Sequence, residues 1–176
     1  MKVLQINTEK TWRGGERQTL YTLQGLKNAG IRVELLCLKG YPLFQKARRV
    51  DIPIRAVEGH REALFFLARF GGTYDILHAQ TAKGQSLAVL AKLFHRRPVV
   101  YTRRVDFVPK GSLTRLKYRW TDRVVAISVS IQRILEDFGL TNVEMIPAAV
   151  VKRDLDKMRG ERLIDELGVR NKKVIG

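Results

Sequence analysis

Apolar positions along this chain follow two alternating rhythms. Short, almost continuous apolar runs such as KVLQI, VELLCL, YDILHA, PVVYT and RVVAI are separated by stretches in which apolar residues return every three or four positions. The first rhythm belongs to strands buried on both faces of a parallel sheet, the second to helices lying on that sheet. The pattern predicts strands over residues 2–7, 31–40, 52–57, 73–80, 98–102, 123–128 and 143–147. It predicts helices over 14–29, 43–50, 61–70, 86–94, 112–120 and 131–138, with two polar helical pieces over 150–158 and 161–168. Turn residues punctuate it at Gly30, Gly40-Tyr41-Pro42, Asp51, Pro53, Gly71-Gly72 and Gly139. Ser112 is placed to cap one helix, and Ser128 together with Ser130 another. Every crossover is long enough for a helix and no internal repeat is present. The expected fold class is therefore α/β, a doubly wound, Rossmann-like parallel sheet.

The stretch GGERQTLYTLQGLKNAG organises the first unit. A strand runs into a loop that closes with Gly14-Gly15 at the mouth of a helix, and a second strand follows. Glycines there let backbone approach a ligand without a Cβ in the way, and the first turn of the helix offers unpaired N–H groups to an anion. Glu16 stands in that first turn, where the helix dipole favours negative charge.

Composition adds a partner and a compartment. With 33 Lys and Arg against 17 Asp and Glu, the net charge is +16, and the 32 residues from Lys92 to Arg123 hold ten Lys/Arg and two Asp, half of the excess. Such an excess implies an anionic partner (nucleic acid, an anionic membrane surface or a phosphorylated ligand) or a solvated, ion-rich surface. No apolar run approaches the roughly 20 residues that span a bilayer, and MKVLQIN begins a strand at once, leaving no room for a signal peptide. The single Cys37 lies in an apolar strand and reads as a small buried hydrophobe, so a reducing cytosol is the expected compartment. His60 and His95 read as surface histidines. No set of His, Cys or carboxylates has ligand spacing, so neither a metal nor another cofactor is expected.

With these residues placed, the chain resembles the N-terminal half of a retaining, nucleotide-sugar-dependent glycosyltransferase of family 4, which has the GT-B fold. The family's Gly-Gly-x-Glu loop resembles Gly14, Gly15 and Glu16, with one residue fewer before the Glu. Its helix end and second strand resemble Leu26, Gly30 and Val33. Its Asp-x-x-His-Ala-His strand end resembles Asp75, His78 and Ala79, with Gln80 replacing the second His. Its Val-Val-Ala-x-Ser strand resembles Val124 to Ser128, and its Gly…Ile-Pro segment resembles Gly139, Ile146 and Pro147. Departures are Thr102-Arg103-Arg104, where Thr-His is common, and Ala148-Ala149 in place of an Asn-Gly turn. The resemblance implies a second domain that supplies most donor contacts. Residues 1–170 then form the acceptor-side domain, and 171–176, ending the chain in KKVIG, the opening strand of that missing second domain.

The candidate sites follow from both readings. The resemblance implies that Gly14, Gly15 and Glu16 face the donor diphosphate, although the glycines also suit a plain helix start and Glu16 a plain helix charge. His78 and Gln80 lie at the carboxyl end of a strand, where ligands collect in open α/β sheets. Arg103 and Arg104 suit fork recognition of phosphate or carboxylate, with Asp106 holding or neutralising one of them. Together with Ser128 these form the expected acceptor site, with His78 the one candidate contributor to catalysis. In the segment 112–123, Leu113, Leu116 and Trp120 share a face while Arg115, Lys117 and Arg119 add charge, so that Arg115, Lys117, Arg119 and Trp120 form an expected membrane surface. The expected activity is sugar transfer to an anionic or membrane-associated acceptor in cell-envelope glycan or glycolipid synthesis, on the inner face of the membrane. Two alternatives stand beside it. A dinucleotide-binding module lacks the G-x-G-x-x-G after its first strand and the acidic residue after its second, and a nucleic-acid binder has charge and interleaved aromatics without a recognisable motif.

Overall fold

Strand and helix alternate in the computed structural model, which describes residues 1–150 and 156–173. The strands are β1 (Lys2–Ile6), β2 (Arg32–Leu38), β3 (Ile54–Val57), β4 (Ile76–Ala79), β5 (Val99–Arg103), β6 (Arg123–Ala126) and β7 (Val143–Met145). The helices are α1 (Gly14–Asn28), α2 (Pro42–Arg49), α3 (His60–Phe70), α4 (Ala82–His95), α5 (Ser112–Arg119), α6 (Val129–Asp137) and α7 (Lys157–Glu166). The strands form one parallel sheet in the order β3-β2-β1-β4-β5-β6-β7.

Right-handed crossovers in that order put α1 and α2 on one face of the sheet and α3 to α6 on the other. The buried clusters divide accordingly. Leu20 and Leu23 of α1 and Leu43 and Ala47 of α2 pack on Val3, Val33, Leu35 and Cys37. On the opposite face Ala63, Phe66 and Leu67 of α3 and Ala88, Val89 and Ala91 of α4 pack on Leu4, Ile6, Leu36 and Leu77. Tyr118 of α5 and Ile131 and Leu135 of α6 extend that layer over Tyr101, Val124 and Ala126. Cys37 is buried as expected, and burial pushes its thiol up to about 12.

Several boundaries differ from the sequence pattern, each for a local reason. Helix α4 starts four residues before Ser86, because the Thr81 hydroxyl caps it by accepting from the Gly84 N–H at 3.0 Å. Gly84 packs tightly there: an added Cβ would lie 3.0 Å from the Ile6 carbonyl oxygen and 3.1 Å from Thr81 Oγ1, so those neighbours would have to give way. Strand β5 runs one residue further than expected and includes Arg103. Ser112 is the first residue of α5 and not its cap, a position held by Gly111 at φ 90°. Ser128 does cap α6, its Oγ accepting from the Ile131 N–H at 3.3 Å, while Ser130 lies inside the helix. His95 is buried rather than superficial: its ring bonds the Ala88 carbonyl at 3.1 Å and accepts from the Arg97 N–H at 3.0 Å. The expected helical piece at 150–158 falls mostly on 151–155, outside the described residues, and α7 begins at Lys157. Of the expected opening strand, residues 171–173 form a turn and bend, and 174–176 lie outside the described residues.

Candidate active site

The strand order reverses direction between β1 and β4, and at their carboxyl ends the polar side chains of the sheet converge. Gln5, fully buried in β1 between Leu4 and Ile6, stands opposite His78 of β4 in the parallel register. The Gln5 amide nitrogen meets His78 Nδ1 at 3.1 Å, and His78 Nε2 meets Thr102 Oγ1 of β5 at 2.7 Å. The Gln5 nitrogen can only donate, which assigns Nδ1 as acceptor and Nε2 as the proton carrier toward Thr102, the shorter of the two contacts at Nε2, where the donor-only Gln80 amide nitrogen stands at 3.4 Å. Burial, with the neighbouring Arg104 charge, holds the His78 imidazole down at about 4, so it is neutral near pH 7. Gln80, also buried, donates to Gln5 Oε1.

Arg104 closes this network from above β5. Its Nη1 donates to the Gln80 carbonyl oxygen at 3.0 Å and its Nη2 to Gln80 Oε1. Its Nε is buried without a hydrogen-bond partner, and among the described residues no carboxylate forms an ion pair with it. Burial lowers its pKa, with Tyr101 and Glu16 opposing that shift; an arginine stays charged even so, and burying that charge without an ion pair is costly.

The two arginines part company. Arg103 is buried and spends its guanidinium on its own loop: Nε donates to the Val105 carbonyl at 3.0 Å, Nη1 to Tyr118 Oη at 2.6 Å and Nη2 to the Phe107 carbonyl. The expected double fork is thus a single one, with Arg103 pinning the loop that presents Arg104. Asp106 is exposed and forms no ion pair with either arginine among the described residues. Ser128 stands at the end of β6 with its hydroxyl occupied in capping α6.

At the start of α1, Gly14 and Gly15 are the first two helical residues and Arg13 the cap. The first helical bond is made by Arg17 to the Arg13 carbonyl, which leaves the amides before it without an intrahelical acceptor. Neither glycine has a positive φ, and a Cβ at either would meet nothing within 4 Å. The first turn therefore tolerates side chains, and its glycines keep it open. Glu16 is buried and its carboxylate accepts from the Arg13 N–H at 2.7 Å, so its observed bond is that of a helix cap. Asn7 ties the intervening loop to the helix through Thr19 Oγ1 at 2.9 Å.

On α5, Leu113, Leu116 and Trp120 are exposed, as are Arg115 and Arg119, and only Tyr118 is buried. Lys117 differs: it is partly buried, reaches the Ala82 carbonyl at 3.5 Å, and has its pKa lowered by burial and by Arg103. It lines, with Tyr101, Arg103, Phe107, Lys110 and Tyr118, a groove of about 670 Å³. The residues missed by the pattern are Gln5, Thr102, Gly84 and Gln18. A Gln inside an apolar strand was the visible signal for the first. Gln18 had none: it donates to the Ala149 carbonyl at 2.6 Å and accepts from the Ala149 N–H at 3.0 Å, across 131 positions of sequence.

A parallel α/β sheet of this order, with its polar cluster at the carboxyl edge where the order reverses, defines a Rossmann-like domain of the kind that forms one half of the GT-B fold. The sequence matches the profile of Glycosyltransferase Family 4 over residues 12–152, and the chain belongs to that family. No curated protein matches it at significant similarity. Among solved structures it is similar to Anabaena Alr3699/HepE in complex with UDP-glucose, with 17% identity and a TM-score of 0.78 over 98% of this chain and 51% of that one. It is also similar to the lipopolysaccharide outer core galactosyltransferase WaaB (14% identity, TM-score 0.66, 88% of this chain and 48% of that one). Acinetobacter baumannii MurG shares the fold at 13% identity and a TM-score of 0.64, over 86% of this chain and 46% of that one. The chain thus spans about half the length of the solved structures it resembles.

Proposed function

We propose that this chain is the acceptor-side half of a nucleotide-sugar-dependent glycosyltransferase that transfers a sugar to an anionic or membrane-associated acceptor in cell-envelope glycan or glycolipid synthesis. The observation that carries the reading is Arg104, a partly buried guanidinium at the carboxyl edge with a buried, unpartnered Nε and no carboxylate partner among the described residues. A phosphate or carboxylate of the acceptor would supply what the protein leaves out. The open first turn of α1, at the same edge, would face the donor diphosphate through the amides of Gly14, Gly15 and Glu16. A nucleotide-sugar donor is supported by family membership and by the UDP-glucose complex of the HepE structure. Most donor contacts would come from a second domain. Neutral His78, hydrogen-bonded through both ring nitrogens, positions Gln5 and Thr102 under Arg104 and is suited to order the site rather than to carry charge.

A membrane-side acceptor is supported by α5, whose exposed Leu113, Leu116 and Trp120 accompany Arg115 and Arg119. Among the described residues no helix is long and apolar enough to cross a membrane, so association would be peripheral. The test is an amide-resonance titration of the 15N-labelled chain with UDP-glucose and, separately, with a short-chain prenyl phosphate as a soluble anionic acceptor. The phosphate is expected to shift the Arg104 Nε–H and Gln80 signals, and UDP-glucose those of Gly14 to Glu16. Signals at the carboxyl edge that stay unmoved by both ligands at millimolar concentration would overturn the reading.

A further inference from the structure

The two helical layers differ in what they show to solvent. Phe65 and Phe70 on α3 and Leu90, Leu93 and Phe94 on α4 are exposed, Phe94 to 71% and Phe65 to 69%, whereas α1 and α2 expose no large hydrophobic side chain. These residues are surplus to the core, since α3 and α4 already bury Ala63, Phe66, Leu67, Ala88, Val89 and Ala91 against the sheet. Leu90, Leu93 and Phe94 follow one another at i, i+3 and i+4 and so form a single outward stripe. A group of this size is more than the scattered apolar residues of an ordinary surface.

Its surroundings are cationic. Helices α3 and α4 carry Arg61, Arg69, Lys83 and Lys92 against one acid, Glu62, and Arg96 and Arg97 follow directly. Lys92 pairs with Asp122, while Arg61, Arg69, Lys83 and Arg96 form no ion pair among the described residues. Lys92 also donates to the Trp120 carbonyl at 3.1 Å, which joins the face to the end of α5. A second copy of the chain on this face would oppose two cationic rims on a protein of net charge +16. The chain after β7 leads away from it, because Ala149 is bonded to Gln18 on the other helical layer. Exposed apolar side chains on helices whose cations mostly form no ion pair among the described residues are complementary to the headgroup boundary of an anionic bilayer.

We propose that the outer face of α3 and α4 is a docking surface for an anionic lipid bilayer, with Phe65, Leu90, Leu93 and Phe94 entering the headgroup boundary and Arg61, Arg69, Lys83 and Arg96 meeting lipid phosphates. With these helices lying along the bilayer, the carboxyl edge and Arg104 open beside its surface, where the headgroup of a lipid-linked acceptor stands. The inference deepens the membrane-side acceptor proposed above and rests on it.

The test is co-sedimentation of the 176-residue chain with vesicles of equal parts phosphatidylglycerol and phosphatidylcholine, and with vesicles of phosphatidylcholine alone. Binding is expected to the first and not the second. Leu90→Ser, Leu93→Ser and Phe94→Ser together are expected to weaken it roughly tenfold or more, with the melting temperature in solution retained. Arg17→Ser with Arg49→Ser, on the other helical layer, is expected to change it by about twofold or less. Should the triple variant not fold, Phe94→Trp in a Trp12→Phe, Trp120→Phe background takes its place, and quenching of its fluorescence by brominated lipid is expected. Undiminished binding by the triple variant, equal binding to phosphatidylcholine, or absent quenching overturns the proposal. So does a dimer in sedimentation velocity that the triple variant dissociates, which would put a second copy on this face. The ligand titrations are run without vesicles, so a failure there and a failure here are separate results.

Discussion

Strand β5 ends between two arginines that face different surroundings, and their substitutions should separate binding from stability. Arg103 donates to two loop carbonyls and to the Tyr118 hydroxyl. Arg103→Met should cost about 2–4 kcal/mol in urea denaturation, because buried acceptors lose a charged donor. Arg104→Met removes two donors from Gln80 but takes the buried, unpartnered Nε with it, so it should cost clearly less in urea denaturation than Arg103→Met, about 1 kcal/mol, yet weaken prenyl-phosphate binding about tenfold or more. If both variants lose stability equally, the division of labour is wrong. His78 makes a pH prediction with a definite sign. Its folded value near 4 lies below the ordinary 6.5, so the unfolded chain binds the extra proton between them. The stabilisation is fully present above about pH 6.5 and is lost as pH falls toward 4, with an upper bound of about 3 kcal/mol. Melting curves between pH 4 and 7 should show that slope shrink in His78→Gln, leaving the smaller part due to His95, whose pKa is lowered in the same direction by burial.

Elements meet the site through their ends, and the two helix starts that frame it tolerate change very differently. At α4 the glycine is a packing requirement. Gly84→Ala would press a methyl against the Ile6 carbonyl and Thr81 Oγ1, and should destabilise by about 1–3 kcal/mol in chemical denaturation. At α1 the glycines are followed by open space. Gly15→Val should therefore keep the melting temperature within a few degrees, by the rough stability scale of small domains, while reducing the UDP-glucose response of the Gly14–Glu16 amides. An unaltered response, or one lost only through unfolding, would make this turn structural. In sequence only Gly14-Gly15 marked a helix start, and Gly84 lay ahead of the helix expected from Ser86. What separates them is β1, whose carboxyl end lies under Gly84 and not under Gly15.

For the whole molecule, a match that covers about half of each of the solved structures it resembles sets the expectation for activity. On the proposed reading, in which a second domain supplies most donor contacts, the 176-residue chain by itself should show no sugar transfer from any nucleotide sugar above a blank, because the groups that would converge on the transition state would not all be present. A radiolabelled transfer assay that exceeds the blank would refute this. If the proposed docking holds, the asymmetry that exposes large apolar side chains on α3 and α4 and none on α1 and α2 would make orientation at a lipid surface a property of the domain, not of one helix.

The parallel sheet was legible in the chain because its central strands are largely buried on both faces, which leaves few polar residues to interrupt the apolar run. Gln5 and Thr102 are the exceptions that prove informative, polar residues that the strands keep only because His78 and Gln80 satisfy them at the switch point. The glycine loop, the helix punctuation, the buried Cys37 and the charge excess were equally a matter of sequence. Tertiary structure alone decided which of two adjacent arginines stays available, since that depends on Tyr118 and the loop carbonyls reaching one guanidinium and not the other. It alone decided that Gly84 lies against the Ile6 carbonyl, where a Cβ would crowd it, and that Gln18 grips Ala149. Contacts between residues distant in sequence have no local signature, because they are set by strand order and by the packing of helices onto the sheet.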